Sequence, residues 1–261
     1  MLTDDQRERL DTKITITEYF GALRSFEKNK TPGNDGLTIE FYLAFWDPVG
    51  ECLLDALTFA QEEGQFSTSQ KQAMITLVKK KDKDGRFIKN WRPISLISVD
   101  VKIASKAIAK RLESILPELI PPNLNGFING RSILDAVLKI DYILEFAKAT
   151  ECCGILLAID FEKAFDSLNH SFLFNVLEKL NFGEYFVQWI KTFYTDVSTC
   201  VLNNGFTTDL FPVRLGVRQG DPLSPLLFIL ALEMLVCQIR NDQGVKGIIV
   251  TDEGNKLALF A

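Results

Sequence analysis

Cys153-Gly-Ile-Leu-Leu-Ala-Ile-Asp-Phe-Glu-Lys-Ala-Phe-Asp166 is the stretch that decides how this chain is read. Residues 155–159 form a short continuous apolar run, the pattern of a strand buried on both faces. Asp160 stands where that strand would emerge, and an aromatic ring, Phe165, follows five residues later. A lone carboxylate after a strand is more often a cap or a surface ion-pair partner than a metal ligand. Three other segments reverse that preference.

The first is Leu215-Gly-Val-Arg-Gln-Gly-Asp-Pro-Leu-Ser-Pro225, where two glycines and two prolines predict a tight loop feeding a helix that starts with Ser224 as N-cap and Pro225 in the first turn. Arg218 and Gln219 give it a cationic donor and an amide donor, suited to an anionic ligand whose hydroxyl must also be read. An ordinary turn with solvated polar residues is the plainer alternative. The second is Lys256-Leu-Ala-Leu-Phe-Ala261, an apolar run after the turn signal at residues 252–255 and the β-rich residues 247–250. It ends without a cap, so the chain is expected to be cut inside its fold. The third is Asn90-Trp-Arg-Pro-Ile-Ser-Leu96, which sets a guanidinium beside an aromatic and a rigid proline after a lysine-rich hairpin.

Charge is distributed unevenly. Residues 71–111 hold twelve Lys or Arg against three Asp, a local balance of +9, which leaves −14 for the remainder of a chain whose net charge is −5. Such asymmetry points to a polyanion on one face. Lys102, Lys106 and Lys110 recur every four residues along one side of a predicted helix. Alone they would be a solvated face; beside Lys79, Lys80, Lys81 and Arg92, phosphate contact is the better reading. With 47% hydrophobic residues, the 261-residue chain can bury one large core or two smaller ones. Five cysteines without metal-ligand spacing point to a reduced, intracellular chain. The first residues carry no secretory signal, and the apolar stretch 223–237, interrupted by Pro225 and Glu233, reads as a buried core helix, so no membrane partner is expected.

Periodicity and caps predict helices at 17–28, 48–61, 100–116, 132–149, 169–180, 184–194 and 224–240. Strands are expected at 73–79, 155–159, 198–202, 206–211, 247–250 and 257–261, with Asn203-Asn-Gly205 as a hairpin turn and Ile120-Pro-Pro122 as a candidate hinge. Helices in front of a mixed, largely antiparallel sheet make the fold class α+β.

Taken in order, the segments resemble the reverse transcriptase domain of non-LTR, LINE-type retrotransposons. Thr31-Pro-Gly-Asn-Asp-Gly-Leu-Thr-Ile-Glu-Phe-Tyr42 looks like the amino-terminal motif peculiar to that group, and residues 90–96 look like its fingers motif. Asn125-Gly-Phe-Ile-Asn-Gly-Arg-Ser132 is similar to the next motif, with Asn125 where the family commonly has Gln. The stretches around Asp160 and Gln219 resemble palm motifs A and B, and Phe260-Ala261 the first half of motif C, whose Asp-Asp pair does not follow in this chain. Six motifs in one order are far more specific than any one.

The resemblance implies the fingers and palm of a right-hand polymerase without a thumb: residues 1–27 an amino-terminal extension with its first helix, 28–152 a fingers-like region, 153–261 an incomplete palm. It implies an RNA-directed DNA polymerase acting on an RNA template, a DNA primer and a dNTP, with two Mg²⁺ ions neutralising the charge of nucleotidyl transfer. Asp160 is then the catalytic metal ligand, helped by the backbone carbonyl of Phe161, and the sole histidine, His170, argues against a zinc site. Phe165 matches the aromatic gate that excludes a ribose 2′ hydroxyl, Gln219 and Gly220 the loop against the incoming nucleotide, and Arg92, with Lys79 or Lys80, the cations that grip the triphosphate. Phe161 and Arg218 complete the expected dNTP contacts. Arg131 is expected on template RNA or, equally, on neighbouring carbonyls. Asp35, Asp166 and Asp221 are assigned to turns and caps.

As a chain lacking motif C carboxylates, the protein is expected to be nearly inactive. A nuclear or cytoplasmic ribonucleoprotein location follows from the life cycle the resemblance implies. The alternatives are the reverse transcriptase of another lineage, such as a group II intron, or a catalytically dead RNA-binding relic.

Overall fold

A computed structural model describes residues 1–248; the strand expected at 257–261, the second half of that at 247–250, and the motif C residues Phe260 and Ala261 lie outside them. The elements run α1 (Asp4–Leu10), α2 (Ile16–Arg24), α3 (Ile39–Ala44), α4 (Trp46–Glu63), α5 (Thr68–Lys71), β1 (Gln72–Lys79), β2 (Trp91–Leu96), α6 (Val99–Leu119), α7 (Ile133–Ala149), α8 (His170–Lys179), α9 (Glu184–Tyr194), β3 (Ser198–Asn203), β4 (Phe206–Thr207), β5 (Phe211–Pro212) and α10 (Ser224–Asn241). All seven predicted helices are present. Three short ones, α1, α3 and α5, were not predicted, because each is too brief to show a helical period.

A mixed five-stranded sheet has the order β2-β1-β3-β4, with β5 also on β3. β1 is antiparallel to β2 and parallel to β3, while β4 and β5 are both antiparallel to β3. The expected single strand 206–211 is therefore two short ones. The α+β architecture stands, but its centre is a helix.

α6 is buried nearly all round, with Val101, Ile103, Ala104, Ser105, Ala107, Ile108, Ala109 and Leu112 all enclosed. A helix apolar on most of its circumference has to sit inside. One core runs continuously from Leu2 through α6 to Val236, so the amino-terminal residues pack with the palm-like helices rather than standing apart. Leu2 donates its N–H to Leu180 O at 2.9 Å, and Asp11 accepts from Phe186 N at 3.0 Å. The firmest tie is Arg111 on α6. Its guanidinium bonds Glu18 through Nε (2.6 Å) and Nη2 (2.8 Å), and also reaches the carbonyls of Thr12 and Lys13. Burial pushes the Glu18 carboxyl up, but bonds from Arg111 and Thr15 outweigh it and leave the group below the usual carboxylate range.

The segment 153–160 is the main departure. It was expected as a buried strand, yet it has no regular structure, and Ile155, 94% exposed, and Leu157, 75% exposed, stand in solvent. A strand is completed by a neighbour's backbone, and no described residue pairs with this one. α7 shares that condition: Ala136 is its one buried residue, and Ile133, Leu134, Val137, Leu138 and Tyr142 are exposed. α10, by contrast, encloses residues 226–233 completely, as a core helix should.

Candidate active site

Two turns meet in front of β2. The first, residues 161–168, is nucleated by Lys163 in the left-handed region (φ +52°) and continues as one 3-10 turn, Ala164–Ser167. The second is the glycine-rich loop 215–221. They are stitched together by backbone: Val217 donates to Phe165 O at 2.7 Å and Gly216 to Leu168 O at 2.8 Å. His170 Nε2 adds a bond to Gly216 O at 2.7 Å. Burial lowers the His170 pKa, the Gly216 bond raises it, and nearby Arg218 lowers it, with a net fall. Gly216 is required here, since its φ is +88° and a Cβ would lie 2.8 Å from Asp166 Cα.

The same loop bonds the sheet. Ser95 on β2 donates to Gln219 O at 2.9 Å, while the Gln219 amide donates to Asp166 Oδ1 at 3.2 Å. Gly220, with φ +103°, fits its backbone against Ser95 and Ile94. Its neighbours turn inward and act as anchors. Arg218, 9% exposed, donates to Phe193 O at 3.0 Å and lies over the Tyr194 ring at 6.0 Å. Asp221, 5% exposed, accepts from Ser105 Oγ and from Leu223 N at 3.0 Å. Arg218 and Asp221 inside force Gln219 and Gly220 outside.

Phe165 is half-buried and stacks on Phe228 of α10 with centroids 5.4 Å apart, and Phe127 meets it edge-on at 6.3 Å. Phe161 also packs on Phe228, at 6.5 Å, so both aromatic residues of this turn rest on the same α10 ring. Asp160 is exposed, and its carboxylate takes no hydrogen bond or ion pair among the described residues. Its oxygens, with the Phe161 carbonyl, fit a hard divalent cation. No group of three potential metal-binding side chains converges among the described residues.

Several expected ligands are corrected. Arg218 spends its guanidinium inside the core and is not free for a triphosphate. Arg131 gives its donors to the carbonyls of Pro117 (2.8 Å), Pro121 (2.7 Å) and Leu124 (2.7 Å), and to Ile120. These carbonyls lie at and just beyond the end of α6, next to prolines that carry no N–H, so the arginine closes the supposed hinge instead of reaching RNA. Lys102, Lys106 and Lys110 are not a solvated stripe, because their helix is central. Lys106 pairs with Glu113 at 3.5 Å and Lys110 donates to Gly21 O at 2.6 Å. Burial lowers the pKa of Lys102, opposed by Asp221 and Asp35. Ser224 is helical rather than the cap, which is Leu223.

Arg92 is exposed on β2. It pairs with Val78 across the ladder and shares the β2 face of Ile94, which touches Gly220. Lys79 pairs with Trp91 and so lies on the opposite face, away from that loop. Lys80 extends the ladder through Asn90 O at 2.8 Å and places its ammonium on Lys89 O at 3.0 Å. Sequence reading missed Ser95, Phe127 and Phe228 as supports of the site; nothing in their spacing marks them, since each matters through a contact distant in sequence.

The family model described as Reverse transcriptase (RNA-dependent DNA polymerase) matches residues 78–261. The Transposon TX1 uncharacterized 149 kDa protein of Xenopus laevis is 40% identical over 261 residues, 100% of this chain and 20% of that protein. A Retrovirus-related Pol polyprotein from type-1 retrotransposable element R2 of Popillia japonica is 30% identical over 85% of this chain and 30% of its own length. The corresponding polyprotein from type-2 retrotransposable element R2DM of Drosophila melanogaster is 32% identical over 66% of this chain and 16% of its own length. The chain thus spans less than a third of each of these relatives.

Proposed function

Because the chain belongs to the reverse transcriptase (RNA-dependent DNA polymerase) family, in its LINE-type retrotransposon branch, we propose that it forms the nucleotide-selecting part of an RNA-directed DNA polymerase. One observation carries this reading. Gln219 is held from two sides, by β2 through its carbonyl and by Asp166 through its amide, so the three motifs that would surround a dNTP meet at one residue.

Arg92 binds the triphosphate as a planar guanidinium fork. Gln219 and Gly220 lie against the sugar, and Phe165, braced by Phe228, fills the space a 2′ hydroxyl would need. Asp160 and the Phe161 carbonyl would hold Mg²⁺, which would supply charge neutralisation for attack on the α-phosphate. Among the twelve cations of residues 71–111, Lys79, Lys81, Lys83, Lys89, Arg92 and Lys102 make no ion pair or side-chain hydrogen bond among the described residues, and all of them except the half-buried Lys102 lie on the β1–β2 hairpin. RNA template and DNA primer are therefore assigned to that hairpin rather than to α6. A nuclear stage for the ribonucleoprotein follows from copying onto chromosomal DNA, and fractionation of cells expressing the element would test it.

Primer extension by the full-length element protein is the decisive assay. Synthesis is expected to need RNA template, dNTPs and Mg²⁺, and to stop on chelation. RNA binding without any synthesis would overturn the reading in favour of a non-catalytic binder.

A further inference from the structure

Asp166 was assigned to a turn by its sequence, and the structure gives it a second contact. Its Oδ1 and Oδ2 lie 3.2 Å and 3.5 Å from Gln219 Nε2. A primary amide can present either its oxygen or its nitrogen to a neighbour by rotating half a turn. A carboxylate removes that freedom, because it only accepts hydrogen bonds and so must face the NH₂ end. The Gln219 oxygen is then directed away from Asp166, and it accepts no bond among the described residues.

The pairing is set by the fold. Val217 N to Phe165 O, Gly216 N to Leu168 O and Ser95 N to Gln219 O fix both backbones at 2.7 Å, 2.8 Å and 2.9 Å. We propose that Asp166 is a positioning residue which holds the Gln219 amide so that the loop offers an oxygen acceptor to the sugar of the incoming nucleotide. With Phe165 occupying the 2′ side, the remaining sugar donor of a dNTP is its 3′ hydroxyl. The device therefore selects nucleotides that keep this hydroxyl over those that lack it. A site built to hydrogen-bond a substrate hydroxyl discriminates strongly against the analogue without it. This inference rests on the polymerase reading above.

The test compares dTTP with 2′,3′-dideoxy-TTP in single-nucleotide extension by the full-length protein, with kcat and KM measured for each. Asp166→Asn preserves shape but can donate as well as accept, so it releases the amide to turn; Asp166→Ala removes the partner. Both are expected to reduce dTTP selectivity at least five-fold, through a raised KM for dTTP, with dideoxy-TTP kinetics and melting temperature unchanged. In a Gln219→Ala background, Asp166→Asn should cost no further selectivity. Equal losses for both nucleotides, or unchanged selectivity in an active enzyme, would overturn the inference alone. A wild-type protein that extends no primer would overturn the polymerase reading and this inference together.

Discussion

The loop 215–221 and the segment 153–160 carry the two chemically most informative patterns of this chain, and the fold treats them oppositely. The loop is fixed at every residue that bonds: Gly216 and Val217 to the neighbouring turn, Gln219 to β2, Arg218 and Asp221 into the core. The segment carrying Asp160 is apolar yet exposed, and no described strand accepts it. A loop can be held by contacts on either side of it, whereas a strand buried on both faces needs a whole row of backbone partners. The same logic separates α10, enclosed over residues 226–233, from α7, whose apolar side chains stand in solvent.

This contrast can be tested at both ends. Asp160→Ala should give the largest effect, a loss of about 10³-fold or more in primer extension, since a metal ligand stabilises the transition state by several kcal/mol. Its melting temperature should not change, because Asp160 has no partner among the described residues to lose. A large drop in melting temperature would mean that the segment is as firmly anchored as the loop.

Within the loop, stability and activity should fall together. Arg218→Ala removes a buried guanidinium bonded to Phe193 O and is expected to destabilise the protein by about 3 kcal/mol. Chemical denaturation would read this directly. Full activity with unchanged stability would show that the inward anchors are dispensable.

Phe165 lies between these regimes, on the turn that joins the two regions. Phe165→Val should raise ribonucleotide use relative to deoxynucleotide by about 10- to 100-fold, measured as the ratio of kcat/KM values. Unchanged discrimination would remove Phe165 from the site.

The smallest effect concerns pH, on the helix that follows the loop. Burial pushes the Glu233 carboxyl up, while Arg240 and Arg131 pull it down without cancelling the rise. The folded chain then keeps a proton that the unfolded chain has released, so stability falls as pH rises from the ordinary carboxylate value through the raised one. Glu233→Gln should flatten that fall in denaturation series across mildly acidic pH. An unchanged slope would exclude Glu233 as its source.

Much of this was legible without coordinates. The period of α4, α6 and α10, the Asn204-Gly205 turn of the hairpin and the glycine-rich loop each follow from local chemistry. The lysines on α6 show why more was not. Lys102, Lys106 and Lys110 have the spacing of a basic face, but spacing fixes only which residues share a side and not whether that side meets water. Arg218 misleads in the same way, and Arg131 takes the carbonyl alternative of its two expected partners, since a guanidinium suits carbonyls as well as phosphate. Phe165 and Gln219 could be singled out from motifs, yet Phe228 and Asp166, which touch them, came only from packing.

The sequence by itself determined the family, the helices and the loop that presents Gln219, because motif order, apolar period and glycine placement act over a few residues. Tertiary structure alone decided which cations are free, which turn the loop leans on and which carboxylate orients its amide. Those outcomes depend on groups far apart in the chain competing for the same hydrogen bonds, and no local pattern records who wins.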